Sequence, residues 1–219
     1  MTSNGNNPVT LRLPATGLSR FLKPRQGPPP GSVCDMCGEP FGATHSHVVH
    51  VEGRRLMCTC RPCYLLFSNE GAGGGRYRQV PDRYQFDPEF QLTTAQWDNL
   101  QIPVDIAFFF HNTELGETVA LYPSPGGATE STLPLDAWKE VVEANPELLV
   151  PEPDTEAILV RRNEGRFECF LVPIDVCYEL VGRVRLKWKG FDGGQELWAD
   201  LRQFFDTLHE RAAGRLSGH

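Results

Sequence analysis

Cys34-Asp-Met-Cys37 and Cys60-Arg-Pro-Cys63 form two Cys-x-x-Cys pairs, with Cys58 two residues before the second pair and His45, His47 and His50 between the halves. Two intervening residues let the backbone turn back, so that both thiolates of a pair reach one point. Two such pairs supply the four sulfurs of a tetrahedral metal site. The candidate ligands are therefore Cys34, Cys37, Cys60 and Cys63. Gly38 follows the first pair, where a tight knuckle favours a residue without Cβ. Cys58 is an alternate for Cys60, at a looser Cys-x4-Cys spacing. His45 or His47, two residues apart on one strand face, is an alternate source of one ligand.

The elements that must position these groups are readable around them. His45 to Val51 alternates, Glu52-Gly53-Arg54 supplies a turn, and Arg55 to Cys58 returns, the pattern of a β-hairpin. The apolar run Tyr64-Leu-Leu-Phe67 suits a short helix whose first turn carries the second pair and whose positive end favours thiolates. Knuckle, hairpin and helix are the plan of a treble-clef-like zinc finger over residues 33–70. Rubredoxin-like iron sites place a knuckle and a glycine at both pairs. Here Tyr64 follows the second, so Zn2+ is the expected ion and iron the alternative.

Residues 71–92 read as a glycine-rich joint and connector, with Arg76 and Arg78 as candidate anion or partner contacts. No Walker or GxGxxG spacing accompanies them. Residues 93–212 read as an α+β domain that should fold without metal, joined to the finger by a cleavable joint at 71–75. Thr93-Thr-Ala-Gln96 has the form of a capping box. Strands are expected at 104–110 and 117–122, a loop at 123–130, a helix at 135–144, and strands at 156–162 and 166–172. Two amphipathic helices follow, one carrying Ile174, Cys177, Val181, Val184 and Trp188 and the other Leu197, Leu201, Phe204, Phe205 and Leu208. Cys169 and Cys177 fall on core positions, while Asp175, Glu179, Asp192 and Glu196 read as solvated acids. The fold class is α+β: a small treble-clef-like finger, then an antiparallel-sheet domain with C-terminal helices.

Composition bounds the function. With 219 residues and 40% hydrophobic content the chain can bury a core. Seven cysteines, five of them in metal-like spacing, argue for a reducing compartment rather than a disulfide scaffold. No apolar leader or span of membrane length is read, so the expected location is cytoplasmic. The net charge of −7 disfavours general nucleic-acid binding. Residues 1–32 carry Arg12, Arg20, Lys23 and Arg25 without an acid and end in a Pro/Gly run, reading as a disordered basic arm. Residues 213–219 read as a tail.

Several motifs recur in a specific order: Cys-x-x-Cys-Gly-Glu-Pro, His-Ser-His, Cys-Thr-Cys-Arg-Pro-Cys-Tyr-Leu-Leu-Phe, Gly-Ala-Gly-Gly-Gly-Arg-Tyr-Arg-Gln-Val-Pro-Asp-Arg, Leu-Tyr-Pro-Ser-Pro-Gly-Gly-Ala-Thr-Glu and Gly-Phe-Asp-Gly-Gly. Over roughly residues 33–210 the chain resembles an uncharacterised bacterial family associated with gene clusters for actinobacterial-type nickel–iron hydrogenases. The resemblance implies a role in making or serving such a hydrogenase, with its subunits or maturation proteins as partners, and carries no catalytic residues. The leading reading is a zinc-binding accessory protein, not an enzyme. An iron-binding electron-transfer or iron-delivery protein is one alternative. A zinc-finger nucleic-acid regulator, using Arg54, Arg55, Arg61, Arg76 and Arg78 as its basic face, is the other.

Overall fold

Odd and even residues of the central strands are both apolar, and in the computed structural model both faces of the sheet they form are covered. The structure describes residues 32–69, 71–131, 136–146 and 148–214. The arm expected over 1–32 and the tail over 213–219 lie outside these, save for Ser32, Ala213 and Gly214.

Two antiparallel sheets organise the described residues. The smaller has the order β2-β1-β3, from β1 (Ser46–His50), β2 (Arg55–Thr59) and β3 (Tyr77–Gln79). The short helix α1 (Arg61–Leu65) follows β2. The larger sheet has the order β4-β9-β8-β5-β6-β7. Its strands are β4 (Gln85–Asp87), β5 (Ile106–Asn112), β6 (Glu117–Ser124), β7 (Gly127–Glu130), β8 (Glu156–Asn163) and β9 (Arg166–Pro173). Helices α2 (Thr94–Asn99) and α3 (Asp136–Ala144) precede β5 and β8 respectively, and α4 (Ile174–Lys187) and α5 (Gly194–Ala212) close the chain.

Alternation along the strands divides the core in two. Phe108, Phe110, Leu159, Phe170 and Val172 pack with the apolar stripes of α4 and α5. Ala107, Phe109, Ile158, Val160, Cys169 and Leu171 face Trp97, Trp138 and Val141 from α2 and α3. On that second face Phe109 stacks on Trp138 at 3.7 Å. Strands buried on both sides need apolar residues at every position, which is why 106–110 and 157–160 read as unbroken apolar runs.

Helix α2 opens with the expected capping box. Gln96 N donates to Thr93 Oγ1 at 3.2 Å, and Thr93 N donates to Gln96 Oε1 at 2.9 Å. Thr93→Ala should lower unfolding stability by about 1 kcal/mol. A urea midpoint shift with an unchanged slope is the expected readout.

Two expectations need correction. The segment 123–130, read as a loop, is a tight hairpin: Pro123 pairs with Ala128 and Tyr122 with Thr129. Pro123 is tolerated because the pairing of β6 with β5 ends at Leu121, so no ladder donor is lost on that side. The connector 71–92, read as a joint, contains two strands. β3 adds to β1 in the small sheet, and β4 is the edge of the large one beside β9. The rest of the connector is irregular, with left-handed glycines at 71 and 73–75. Gly73, at φ 62°, lies where an added Cβ would come within 3.1 Å of both Phe67 and Tyr77.

The small sheet is packed into the large domain. Val49 of β1 and Val80 just after β3 are buried in the same cluster as Ile174, Val176 and Phe110. Arg78 reaches Asp154 at 3.0 Å and Arg54 reaches Glu130 at 3.6 Å. The described residues fall within one compact unit. Among them no helix is long and apolar enough to cross a membrane.

Candidate metal centre

The first cysteine pair sits on a knuckle built as its glycine requires. Gly38 adopts φ 77°, its N–H donates to the Cys34 carbonyl at 2.9 Å, and Cys34 N donates to the Glu39 carbonyl at 2.8 Å. Asp35 then docks the knuckle on the end of β2. Its N–H donates to Cys58 O at 2.9 Å, and its carboxylate accepts from Cys58 N at 2.8 Å. The second pair lies at the start of α1, with Cys60 as its N-cap in extended conformation and Cys63 inside it. Two bonds hold this helix against β3: Gln79 Nε2 donates to Tyr64 O at 2.7 Å and Tyr64 Oη donates to Val80 O at 3.1 Å.

These elements bring Cys34, Cys37, Cys60 and Cys63 together, with all four sulfurs within 4.8 Å of one another. Cys37 Sγ and Cys60 Sγ are 3.6 Å apart. A tetrahedral ion with metal–sulfur bonds of about 2.3 Å needs sulfurs about 3.8 Å apart, so the set fits such an ion with little rearrangement. Cys34, Cys60 and Cys63 are buried with Met36 and Phe41 against them, and Cys37 is exposed.

Electrostatics point the same way. Burial opposes the Cys34 thiolate, but the backbone N–H groups of Cys60, Cys37 and Met36 outweigh it and bring the thiol down to about 6. The Glu39 backbone favours a Cys37 thiolate, yet the sulfurs of Cys34 and Cys60 push its thiol up. Burial, then the other three sulfurs, push Cys63 up strongly. Four thiols this close cannot all ionise alone, and a dication removes that conflict. The cluster can therefore hold a metal ion through four protein ligands, which would fill a tetrahedral shell.

The alternates lie elsewhere. Cys58 pairs across the hairpin with His47, and His45 lies two residues before His47 on the same face. His45, His47 and Cys58 form a second group whose ligand atoms lie within 4.8 Å of one another. Burial, then the coulombic effect of His47, lowers the His45 pKa, and burial pushes the Cys58 thiol up, with Asp35 and Asp175 adding to it. His50 is on the opposite face, 5.0 Å from the Tyr77 ring.

One neighbour of these histidines is not legible in the sequence. Asp175, read as a solvated acid, accepts from His47 Nδ1 at 2.7 Å and is only 24% exposed. It begins α4 some 130 positions from its partner, and no local pattern joins them. The remaining acids match a solvated reading: Glu179 pairs with Arg183 and Glu196 with Lys189 on the helix surfaces. Cys169 and Cys177 are fully buried in the core, and burial holds both thiols well above their ordinary range. The arginines of the basic face are partly committed inside the protein. Arg54 and Arg78 form the ion pairs above, Arg61 lies over the Tyr64 ring, and Arg76 donates to Gly73 O.

The chain matches a family described only as "Family of unknown function" over residues 33–212. No curated protein and no solved structure matches it significantly. The matched span runs from the residue before the first cysteine to the last residue of α5, and the chain therefore belongs to the family DUF5947.

Proposed function

We propose that Cys34, Cys37, Cys60 and Cys63 hold one structural Zn2+, and that the protein is an accessory protein of a nickel–iron hydrogenase. In this reading it acts by contacting hydrogenase subunits or their maturation proteins. The observation that carries the proposal is the four-sulfur cluster. Four ligands leave no position for water or substrate, which is the arrangement of a structural rather than a catalytic ion. Tyr64 follows the second pair inside a helix, so a second glycine knuckle of the rubredoxin kind is absent from this site, favouring zinc over iron. The motif resemblance supports the hydrogenase link, and exposed apolar side chains support contact with proteins. Leu186 and Phe191, at the α4–α5 turn, are almost fully exposed, and Trp198 is partly exposed beside them.

The purified protein should be colourless and carry zinc, and visible absorption from a cysteine-bound iron would support the electron-transfer alternative instead. Deleting the gene in a hydrogen-oxidising host should reduce assembled hydrogenase. The wild-type gene should restore it, and the Cys34→Ser/Cys37→Ser variant should not. Normal hydrogenase assembly in the deletion strain would refute the accessory role.

A further inference from the structure

His45, the residue just before β1, is the least explained polar side chain beside the small sheet. Both its nitrogens are inaccessible to solvent and neither has a hydrogen-bond partner, although the Ala43 and Gly42 carbonyls approach the ring. Stacking on Phe41 at 4.1 Å accounts for a ring face but not for the nitrogens. The ring is half-buried, but its two nitrogens face neither water nor a strong partner, an arrangement that calls for an explanation. Its neighbours on the same face are His47, whose ring is 4.7 Å away, and Cys58, directly across the hairpin from His47.

We propose that His45, His47 and Cys58 form a second metal site, separate from the four-cysteine cluster, for an exchangeable late first-row divalent cation. Two imidazoles and one thiolate are the borderline donor set that Zn2+, Co2+ and Ni2+ prefer. Their ligand atoms lie within 4.8 Å of one another. Coordination needs separations of about 3.3–3.8 Å, within reach of small side-chain rotations.

Asp175 supplies the outer partner that metal-binding histidines use. Its carboxylate takes Nδ1 of His47, which leaves Nε2 as the coordinating nitrogen and fixes the tautomer. Asp175 is a positioning residue in this scheme, reaching the site from the first turn of α4. His45, His47 and Asp175 line one cleft of about 650 Å³, together with Tyr64, Tyr84 and Arg211. Three protein ligands leave a fourth position, and the cleft gives water, an anion or an exchanging ligand access to it. An ion held this way is exchangeable, unlike one enclosed by four thiolates.

The test uses the full chain with its first metal equivalent retained after dialysis against a weak chelator, titrated with Co2+. The expected result is a second equivalent, with tetrahedral ligand-field bands and a sulfur-to-cobalt charge-transfer band. Cys58→Ser should remove the charge-transfer band and keep the first equivalent. His45→Ala with His47→Ala should weaken the second equivalent at least tenfold. Asp175→Asn should weaken it about 10–100-fold, with partial recovery in Asp175→Glu. Failure of the wild type to take a second equivalent, or Co2+ binding unchanged in the His45/His47 variant, would overturn the proposal. So would loss of the first equivalent in a folded Cys58→Ser protein, which would make Cys58 a ligand of the four-cysteine site. The structural-zinc reading fails separately, if the first equivalent survives Cys34→Ser/Cys37→Ser.

Discussion

Removing the first metal equivalent, by strong chelation or by Cys34→Ser with Cys37→Ser, should unfold residues 33–67 and lower the melting temperature of the whole described unit. Structural zinc contributes an apparent 10–16 kcal/mol or so in small finger domains, because the site does not exist in the unfolded chain. Beyond the two hydrogen bonds of Asp35 to the end of β2, the knuckle has little else to hold it. Its own apolar cluster is three cysteine side chains with Met36 and Phe41. Four crowded thiols without an ion also leave several sulfurs protonated and buried, as the strongly raised Cys63 implies.

The damage should extend beyond the finger. β1 and β3 deliver Val49 and Val80 to the core formed with α4 and α5, and Arg78 and His47 reach Asp154 and Asp175. A finger that loosens therefore withdraws apolar surface and ion-pair partners from the larger domain. In place of a domain over 93–212 that folds without metal, this packing leads us to expect one coupled transition. Hydrogen exchange on the chelated protein should show lost protection across β1–β3 and weakened protection at the start of α4. Full native protection at 46–59 in metal-free protein would mean that the thiols are ordinary buried side chains.

How far the sequence could reveal this arrangement depended on the range of the interactions. The two cysteine pairs, the hairpin and the capping box at Thr93 are local. Each is set by residues within a few positions, so spacing and turn chemistry suffice. Helices α4 and α5 were legible because fourteen and nineteen residues repeat an apolar stripe several times. β3 and β4 have three residues each, too few to display a period. They are strands because β1 and β9 offer open ladder edges, which is a property of the partner. Asp175 was read as solvated for the same reason. Its role depends on a hairpin far away in the chain that the sheet and helix bring beside it. The proline and glycine content of Pro123-Ser-Pro-Gly-Gly suggests only a loop, since the hairpin there depends on the β5–β6 pairing stopping at Phe108 and Leu121.

Arg83→Ala should destabilise the protein by about 3–5 kcal/mol, more than Glu156→Ala at the same ion pair. Glu156 is fully buried, and its carboxylate accepts from Arg83 Nε at 2.8 Å, from Arg83 Nη2, and from Glu152 N at 2.8 Å. Arg83 is 43% exposed and also donates to Val150 O at 3.1 Å. The asymmetry of exposure decides the order. When Glu156 is removed, the guanidinium can turn to water, and the loss is that of a few hydrogen bonds, about 1–3 kcal/mol. When Arg83 is removed, the carboxylate stays where no water reaches it, with one backbone donor left. The pair also ties the segment between β3 and β4 to the start of β8, so its loss should ease opening of the junction between the two sheets. The double variant Arg83→Ala/Glu156→Ala separates the cases, because removing the carboxylate as well should recover part of the Arg83→Ala deficit. Urea unfolding of the three variants measures this directly, and a double variant no more stable than Arg83→Ala would show that the buried charge is not what Arg83 compensates.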